Sequence, residues 1–329
     1  METRRHAVVV VGGSAGALEP LVRLTAGLPR EFPAPVLVVI HGGADAGDRL
    51  RDIVARAAAL PVLVAADGAV AAPGTIYIAR GNFHLMLRDA TIQVAQGPRE
   101  NNFRPAIDPL FRSAARGYPG RAIAVLLSGA LDDGVYGMSM VKRTGGIAVV
   151  QHPEEALVAQ LPLNAVQHVE VDHIVRSSDM ASLLVRLAHE IESGRGGTPR
   201  GAVPDALPDV ASPDNIPAGP PSTYSCPECG GPLWEAEQGT ALRFRCMEGH
   251  AYAADTFLAS QNAKLEEALW TALRVLDQHV QFSQRLAERS RARQLSSFVR
   301  MYQDRADEAR SKADLLRRVL AAPRRDQAG

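Results

Sequence analysis

The sequence is short of cysteine, of aromatic side chains and of any excess of charge. Of 329 residues only three are cysteine, and 5% are aromatic. The cysteines (Cys226, Cys229 and Cys246) are odd in number and crowded into one segment, which excludes a disulfide framework spread along the chain. Lys plus Arg equals Asp plus Glu at 36 each, so the basic excess of a general nucleic-acid binder is missing. No apolar run approaches the ~18 residues needed to cross a bilayer. The apolar run at 7–11 passes straight into Gly12-Gly13-Ser14-Ala15-Gly16, too soon for a signal peptide and without its cleavage site. The expectation is a cytoplasmic protein with no nucleic-acid partner and no membrane insertion.

Hydrophobic residues make up 46% of the chain and charged residues 22%, ordinary for a globular protein, and the length suggests about two domains. From residue 5 to 192, short apolar runs alternate with stretches of helical spacing. Strands are expected at 7–11, 36–40, 61–65, 75–79, 122–127 and 147–151, and helices at 17–28, 50–60 and 137–144. Continuous apolar strands between helices specify an α/β fold, a Rossmann-like doubly wound sheet, mostly parallel and covered on both faces. Residues 193–222 change character. Gly194, Gly196 and Gly197 are followed by Pro199, Pro204, Pro208, Pro213, Pro217, Pro220 and Pro221, which reads as a semi-rigid linker. The cysteine segment, 223–252, comes next. From 253 to 322 the spacing is helical, with Leu265, Leu269, Leu273 and Leu276 in one stretch and Phe298, Tyr302, Ala309 and Leu316 in another. A helical hairpin or tail is expected there.

In an open parallel sheet, loops at the carboxyl ends of the strands converge on one crevice. Three such loops carry Ser14, His41 and Asp133. A serine hydroxyl is a poor nucleophile until a base takes its proton, histidine is the residue type suited to that near neutral pH, and a carboxylate then fixes the imidazole. Gly12-Gly13-Ser14-Ala15-Gly16 also fits G-x-S-x-G between strand and helix, where small neighbours permit a sharp turn. The free N–H groups of the helix that follows favour developing negative charge. Each residue has a plainer reading. Ser14 could be an N-cap, His41 a structural strand-end histidine, and Asp133-Gly134 a common turn. A phosphate-binding G-x-G-x-x-G is not met, because Ser14 occupies the second glycine position.

Several spaced segments carry a resemblance to the catalytic domain of the chemotaxis protein-glutamate methylesterases, the CheB-type family. They are Gly12-Gly13-Ser14-Ala15-Gly16, His41, Ala72-Pro73-Gly74-Thr75-Ile76-Tyr77, Gly81-Asn82-Phe83-His84-Leu85, Arg104-Pro105-Ala106-Ile107-Asp108-Pro109-Leu110-Phe111 and Leu127-Ser128-Gly129-Ala130-Leu131-Asp132-Asp133-Gly134. The resemblance implies a serine hydrolase with Ser14 as nucleophile, His41 as base and Asp133, rather than Asp132, as the orienting acid. It implies an oxyanion hole built from the backbone N–H groups of Ala130 and Ala15. It also implies hydrolysis of glutamyl methyl esters, and deamidation of glutamines, on a methylated chemoreceptor or similar sensory protein. No cofactor is implied for catalysis. Family members usually carry Thr-Gly-Met-Gly where this chain has Ser128-Gly129-Ala130-Leu131, Met-Pro where it has Gly42-Gly43, and a phospho-receiver domain ahead of the catalytic one. The expectation is that no phosphorylation switch acts in cis. A catalytically weak scaffold in a sensory complex and a hydrolase for another ester are the competing readings.

Cys226-x2-Cys229 and Cys246-x3-His250 are separated by sixteen residues. Each half forms a turn presenting two ligands, and together they make a closed Cys3His set suited to a structural Zn2+. A redox C-x-x-C is the alternative, but no thioredoxin-like unit surrounds it. The expected zinc ribbon staples a module too small to fold on its own core. With its helices it is expected to act in docking, held by the linker at a variable distance from the active site, with self-association or packing on the catalytic domain as the alternative. A chain ending near Glu192 is then expected to keep its activity on small esters.

Overall fold

The apolar runs of the first half become parallel strands, and the helical stretches cover both of their faces. The computed structural model describes residues 6–43, 45–194, 220–238 and 241–321, so most of the expected linker at 193–222 lies outside the described residues. In chain order the first 192 residues give β1 (Val8–Gly13), α1 (Leu18–Ala26), β2 (Val36–Ile40), α2 (Ala46–Ala55), β3 (Val62–Val64) and β4 (Ile76–Ile78). They continue with β5 (His84–Arg88), β6 (Thr91–Ala95), α3 (Ile107–Gly117), β7 (Ala122–Leu126), α4 (Val135–Arg143), β8 (Ile147–Gln151), α5 (Gln160–His168), β9 (His173–Val175) and α6 (Ser177–Glu192). Seven strands form one parallel sheet in the order β3-β4-β2-β1-β7-β8-β9, and β5 and β6 pair as a separate antiparallel hairpin. The strand run 7–11 is apolar throughout because both faces of β1 are buried. Val8 and Val10 belong to the core under α3 and α4, whereas Val9 and Val11 belong to the core under α1 and α6.

The chain leaves β1 toward β2 on one side, and the later strands fill the other side from β7 outward. The order therefore reverses between β1 and β7, and the crevice of an open α/β sheet opens at such a reversal. Helix α2 runs from Ala46 to Ala55 instead of from 50 to 60. Leu50 and Val54 are its buried contacts, and Pro61 disfavours a helical residue before it, so the chain turns at 56–60 to enter β3.

Beyond the Pro-rich segment, β10 (Leu233–Gln238), β11 (Ala241–Cys246) and β12 (Ala251–Ala253) form a three-stranded antiparallel sheet. Its small core is Leu233, Phe244, Tyr252 and Phe257 with Cys226 and Cys246. The sequence reading leaves two places for this ribbon, a variable distance from the α/β domain or packing upon it. The structure packs it upon that domain, and the described residues as far as Phe257 form one compact unit. Asn101 N–H donates to Ala251 O at 2.7 Å, and Ala251 N–H donates to Arg99 O at 3.4 Å. A single run of buried contacts thus continues from the loop before α3 into the ribbon.

Helices α7 (Ala254–Ala292) and α8 (Ser296–Ala321) follow, and residues from Leu258 onward form a second compact unit. Within it, the Arg317 guanidinium pairs with Asp277 at 2.5 Å, and Ala287, Ala306, Ala309 and Ala313 are buried. Its surface keeps Leu265, Trp270, Phe282 and Phe298 exposed. Among the described residues, no helix is long and apolar enough to cross a membrane.

Candidate active site

The three residues singled out from the sequence meet in the crevice between β1 and β7. Ser14 follows β1 directly, and its N–H donates to Ser128 O at 2.9 Å, tying the serine turn to the end of β7. Gly129 lies close against the serine turn: a Cβ there would stand 3.0 Å from the Ser14 Cβ and 2.8 Å from the Leu161 Cδ2. Helix α1 has Ala17 at its N-cap and no side-chain cap, so the Ser14 hydroxyl is not used to start the helix. It lies 3.1 Å from His41 Nδ1. The opposite ring nitrogen, Nε2, lies 2.8 Å from Asp133 Oδ2. The side chains of His41 and Asp133 are only 4% and 2% exposed, so this relay is shielded from water along most of its length. The ring presents Nδ1 to the hydroxyl and Nε2 to the carboxylate, the reverse of the chymotrypsin arrangement.

Asp133 is held on both of its oxygens. Oδ2 accepts from Ile107 N–H at 2.7 Å as well as facing His41. Oδ1 accepts from the Asn101 amide at 2.8 Å and from Asp108 N–H at 3.2 Å. Burial works to raise this carboxyl. The hydrogen bond and charge of His41, with the Ile107 N–H and the Asn101 amide, outweigh it and hold Asp133 below the usual carboxylate range. Its neighbour Asp132 does not meet the imidazole. Asp132 accepts from Thr256 Oγ1 at 2.6 Å and from Asp255 N–H at 3.2 Å, and burial pushes it up to about 6. Two adjacent aspartates therefore face opposite ways, one to His41 and one to the start of α7.

Sequence reasoning missed four neighbours of this relay. Phe103 stacks on the His41 ring with centroids 3.5 Å apart and planes 10° from parallel, so one face of the imidazole is covered. Asn101 also donates to Asp108 Oδ2 at 3.1 Å and thus bridges two carboxylates. Asp108, fully buried, accepts at Oδ1 from Gly137 N–H at 2.7 Å and Gly134 N–H at 3.2 Å. The fourth neighbour is Arg243 of β11, whose Nη1 sits 2.6 Å from Asp108 Oδ2. Beside them Arg112 grips Glu100 at 2.8 and 2.7 Å. Burial alone would raise Glu100, but the two guanidinium groups of Arg112 and Arg243 hold it down at about 2. Phe103 and Asn101 lie in a loop without periodicity, which hides them from pattern reading.

Of the expected oxyanion donors, Ala15 follows Ser14 in the chain and Ala130 follows Gly129, which packs close to Ser14. Ala15 is exposed and Ala130 half-buried. Among the described residues no protein acceptor takes either N–H, whereas neighbouring Gly129 N–H is bound to Val158 O at 3.0 Å and Leu131 N–H to the Gln160 side chain at 3.0 Å.

In the ribbon, Cys226, Cys229, Cys246 and His250 bring their ligand atoms within 4.8 Å of one another. Cys229 Sγ is 3.7 Å from Cys246 Sγ, and His250 Nδ1 is 3.4 Å from Cys246 Sγ and 3.7 Å from Cys226 Sγ. A tetrahedron drawn with Zn–S of about 2.3 Å and Zn–N of about 2.0 Å has edges of roughly 3.5–3.8 Å, so these residues fit that ion. The free ring nitrogen of His250, Nε2, faces Glu228 at 3.1 Å, the outer partner a ligating histidine commonly has.

A family model described as CheB methylesterase matches residues 9–184, more than half of the chain. The chain belongs to the CheB methylesterase family. It is 33% identical over 183 residues to a Leptospira interrogans protein provisionally named protein-glutamate methylesterase/protein-glutamine glutaminase, covering 55% of this chain and 95% of that one. A Trichodesmium erythraeum protein-glutamate methylesterase/protein-glutamine glutaminase is 31% identical over 188 residues, which span 56% of this chain and 53% of the longer relative. The crystal structure of the Thermotoga maritima CheB methylesterase catalytic domain superposes with a TM-score of 0.54 at 31% identity, covering 55% of this chain and 98% of that domain. The family likeness ends before the ribbon, so Arg243 and the Cys3His set belong to the part of this CheB methylesterase that those matches do not cover.

Proposed function

We propose that this protein hydrolyses methyl esters of glutamate side chains on a chemoreceptor-like protein, by acyl transfer through Ser14. The observation that carries the reading is the buried relay Ser14 Oγ–His41–Asp133, at 3.1 and 2.8 Å. His41 Nδ1 takes the hydroxyl proton as Ser14 Oγ attacks the ester carbonyl carbon. The tetrahedral oxyanion is received by the N–H groups of Ala15 and Ala130. Collapse breaks the C–O bond, and His41 returns its proton to the departing methanol. Water, activated by the same nitrogen, then attacks the acyl-serine and releases glutamate. Asp133 keeps the Nε2 proton in place and stabilises the imidazolium. An amide in place of the ester would leave as ammonia, which is the glutaminase reaction in the names of the relatives.

Cys226, Cys229, Cys246 and His250 would hold one structural Zn2+, which would tie the turns of the ribbon together; the closed ligand set leaves no position for substrate. The test of the main reading is methanol release from a methylated receptor by wild type, Ser14→Ala and His41→Ala. Both variants should lose nearly all turnover, because triad members act as a unit. Equal turnover by Ser14→Ala and wild type would refute the mechanism.

A further inference from the structure

We infer that the C-terminal ribbon is a working part of the active site, with Arg243 as a positioning residue for Asp133. The inference rests on the triad proposed above. Two routes lead from the ribbon to the catalytic carboxylate. In the first, Arg243 Nη1 binds Asp108 Oδ2 at 2.6 Å, and Asp108 sits behind Asp133. Both carboxylates share the Asn101 amide, and the Asp108 backbone N–H donates to Asp133. In the second, β12 clamps Asn101 from both sides. Asn101 N–H donates to Ala251 O at 2.7 Å, and Asn101 Oδ1 accepts from Ala253 N–H at 2.8 Å. The latter bond orients the amide, so that its Nδ2 points at the carboxylates.

The electrostatics give the arrangement its purpose. Asp108 and Asp133 are buried carboxylates side by side, and two such groups resist being ionised together. Glu100 adds a third negative charge and Arg112 one positive charge, at hydrogen-bond distance from each other. Arg243 supplies the second positive charge, 2.6 Å from Asp108 and 3.7 Å from Glu100. Its guanidinium also lies over the Tyr136 ring, 4.6 Å from the centroid. The imidazolium formed at His41 during turnover then balances the remaining charge of the cluster. His84 faces the same cluster but stays neutral: its Nε2–H donates to Pro98 O at 2.8 Å, its Nδ1 accepts from Ala106 N–H, and burial lowers its basicity. Asp132, on the far side, spends its oxygens on Thr256 and Asp255. Burial raises the Asp108 carboxyl, and Arg243 is the strongest influence holding it down, so without Arg243 the buried carboxylate loses its main counter-charge. It must either take a proton or move, and each response disturbs the amide that it shares with Asp133.

Full-length wild type, Arg243→Met, Arg243→Lys and Ser14→Ala are compared on p-nitrophenyl acetate, a probe too small to need docking. Arg243→Met should lower kcat about 10- to 100-fold, the range for losing a partner that orients a reacting group, and leave KM within about twofold. The downfield proton resonance of the His41 ring N–H facing Asp133 should move upfield or broaden in that variant. Arg243→Lys keeps the charge at the single close contact and should retain most of the activity and the resonance. Arg243→Gln, which keeps a donor without the charge, gives the same comparison should Arg243→Met not fold. Wild-type kcat and an unchanged resonance in the folded neutral variant would overturn the inference. So would a loss of kcat that merely tracks loss of folded protein. Turnover by Ser14→Ala at the wild-type rate would instead overturn the triad itself, which separates the two failures.

Discussion

Replacing Asp132 by asparagine should change stability relative to wild type in a way that depends on pH, and the size of that dependence can be worked from the structure. Burial raises the Asp132 carboxyl from 3.8 to about 6. The folded state therefore holds this proton more tightly than the unfolded chain. Stability from this group is full below the unfolded value, declines as pH rises from about 4 to about 6, and is lost above that. The shift of about two units corresponds to roughly 3 kcal/mol, and about 1.4 kcal/mol of it falls between about pH 5 and about pH 7.5. Asp132→Asn removes the titration. It also alters the hydrogen bonds from Thr256 and Asp255, but that cost is the same at both pH values and cancels in the difference. Urea unfolding of wild type and Asp132→Asn at the two pH values is the assay. The variant should gain about 1.4 kcal/mol on wild type in moving to the higher pH. An equal stability difference at both values would show that Asp132 is not strained by its burial. Ester hydrolysis should change little, because Asp132 does not touch His41.

Two other perturbations follow from the contacts around the relay. Phe103→Ala removes the ring that covers one face of His41 and should lower kcat several-fold through a looser imidazole, with KM on p-nitrophenyl acetate nearly unchanged; an unaffected kcat would leave the stacking without a catalytic part. Removing the metal, by chelation or by Cys229→Ser, should depress turnover of that small ester as well as of a methylated receptor, with metal analysis of the wild type showing one Zn2+ per chain. A small-ester rate that survives while the receptor rate falls would restore the ribbon to a docking role.

The parallel sheet was legible because β1, β2 and β7 are buried on both faces and so read as continuous apolar runs. Ser14, His41 and Asp133 were legible because each ends or follows such a run, and the resemblance separated Asp133 from Asp132. The place of the ribbon was not legible. In Ala241-Leu-Arg-Phe-Arg-Cys246 the alternation puts Leu242, Phe244 and Cys246 on the inner face and Arg243 on the outer one, which in isolation means solvent. Only docking buries that outer face, and docking depends on a surface formed 135 residues earlier in the chain. The Pro-rich segment ahead of the ribbon reinforced the picture of a free module, although a spacer of that composition restricts reach without fixing where its end lands. Asn101 was hidden for a related reason: its role comes from what its amide touches, not from any spacing.

The bond between Asn101 and Ala253 spans 152 residues, and this sets an order of events during synthesis. Domains emerge from the ribosome N-terminus first, at about 5–20 residues per second. The sheet that carries Ser14 and His41 can assemble when α6 has been made, several seconds before β11 and β12 exist. Through that interval Asp108 lacks its counter-ion and Asn101 lacks its clamp. If Arg243 and Asn101 position Asp133 as inferred above, the nascent chain would acquire its parallel sheet before its full activity, which would wait for the last strands of the ribbon to close behind Asp133.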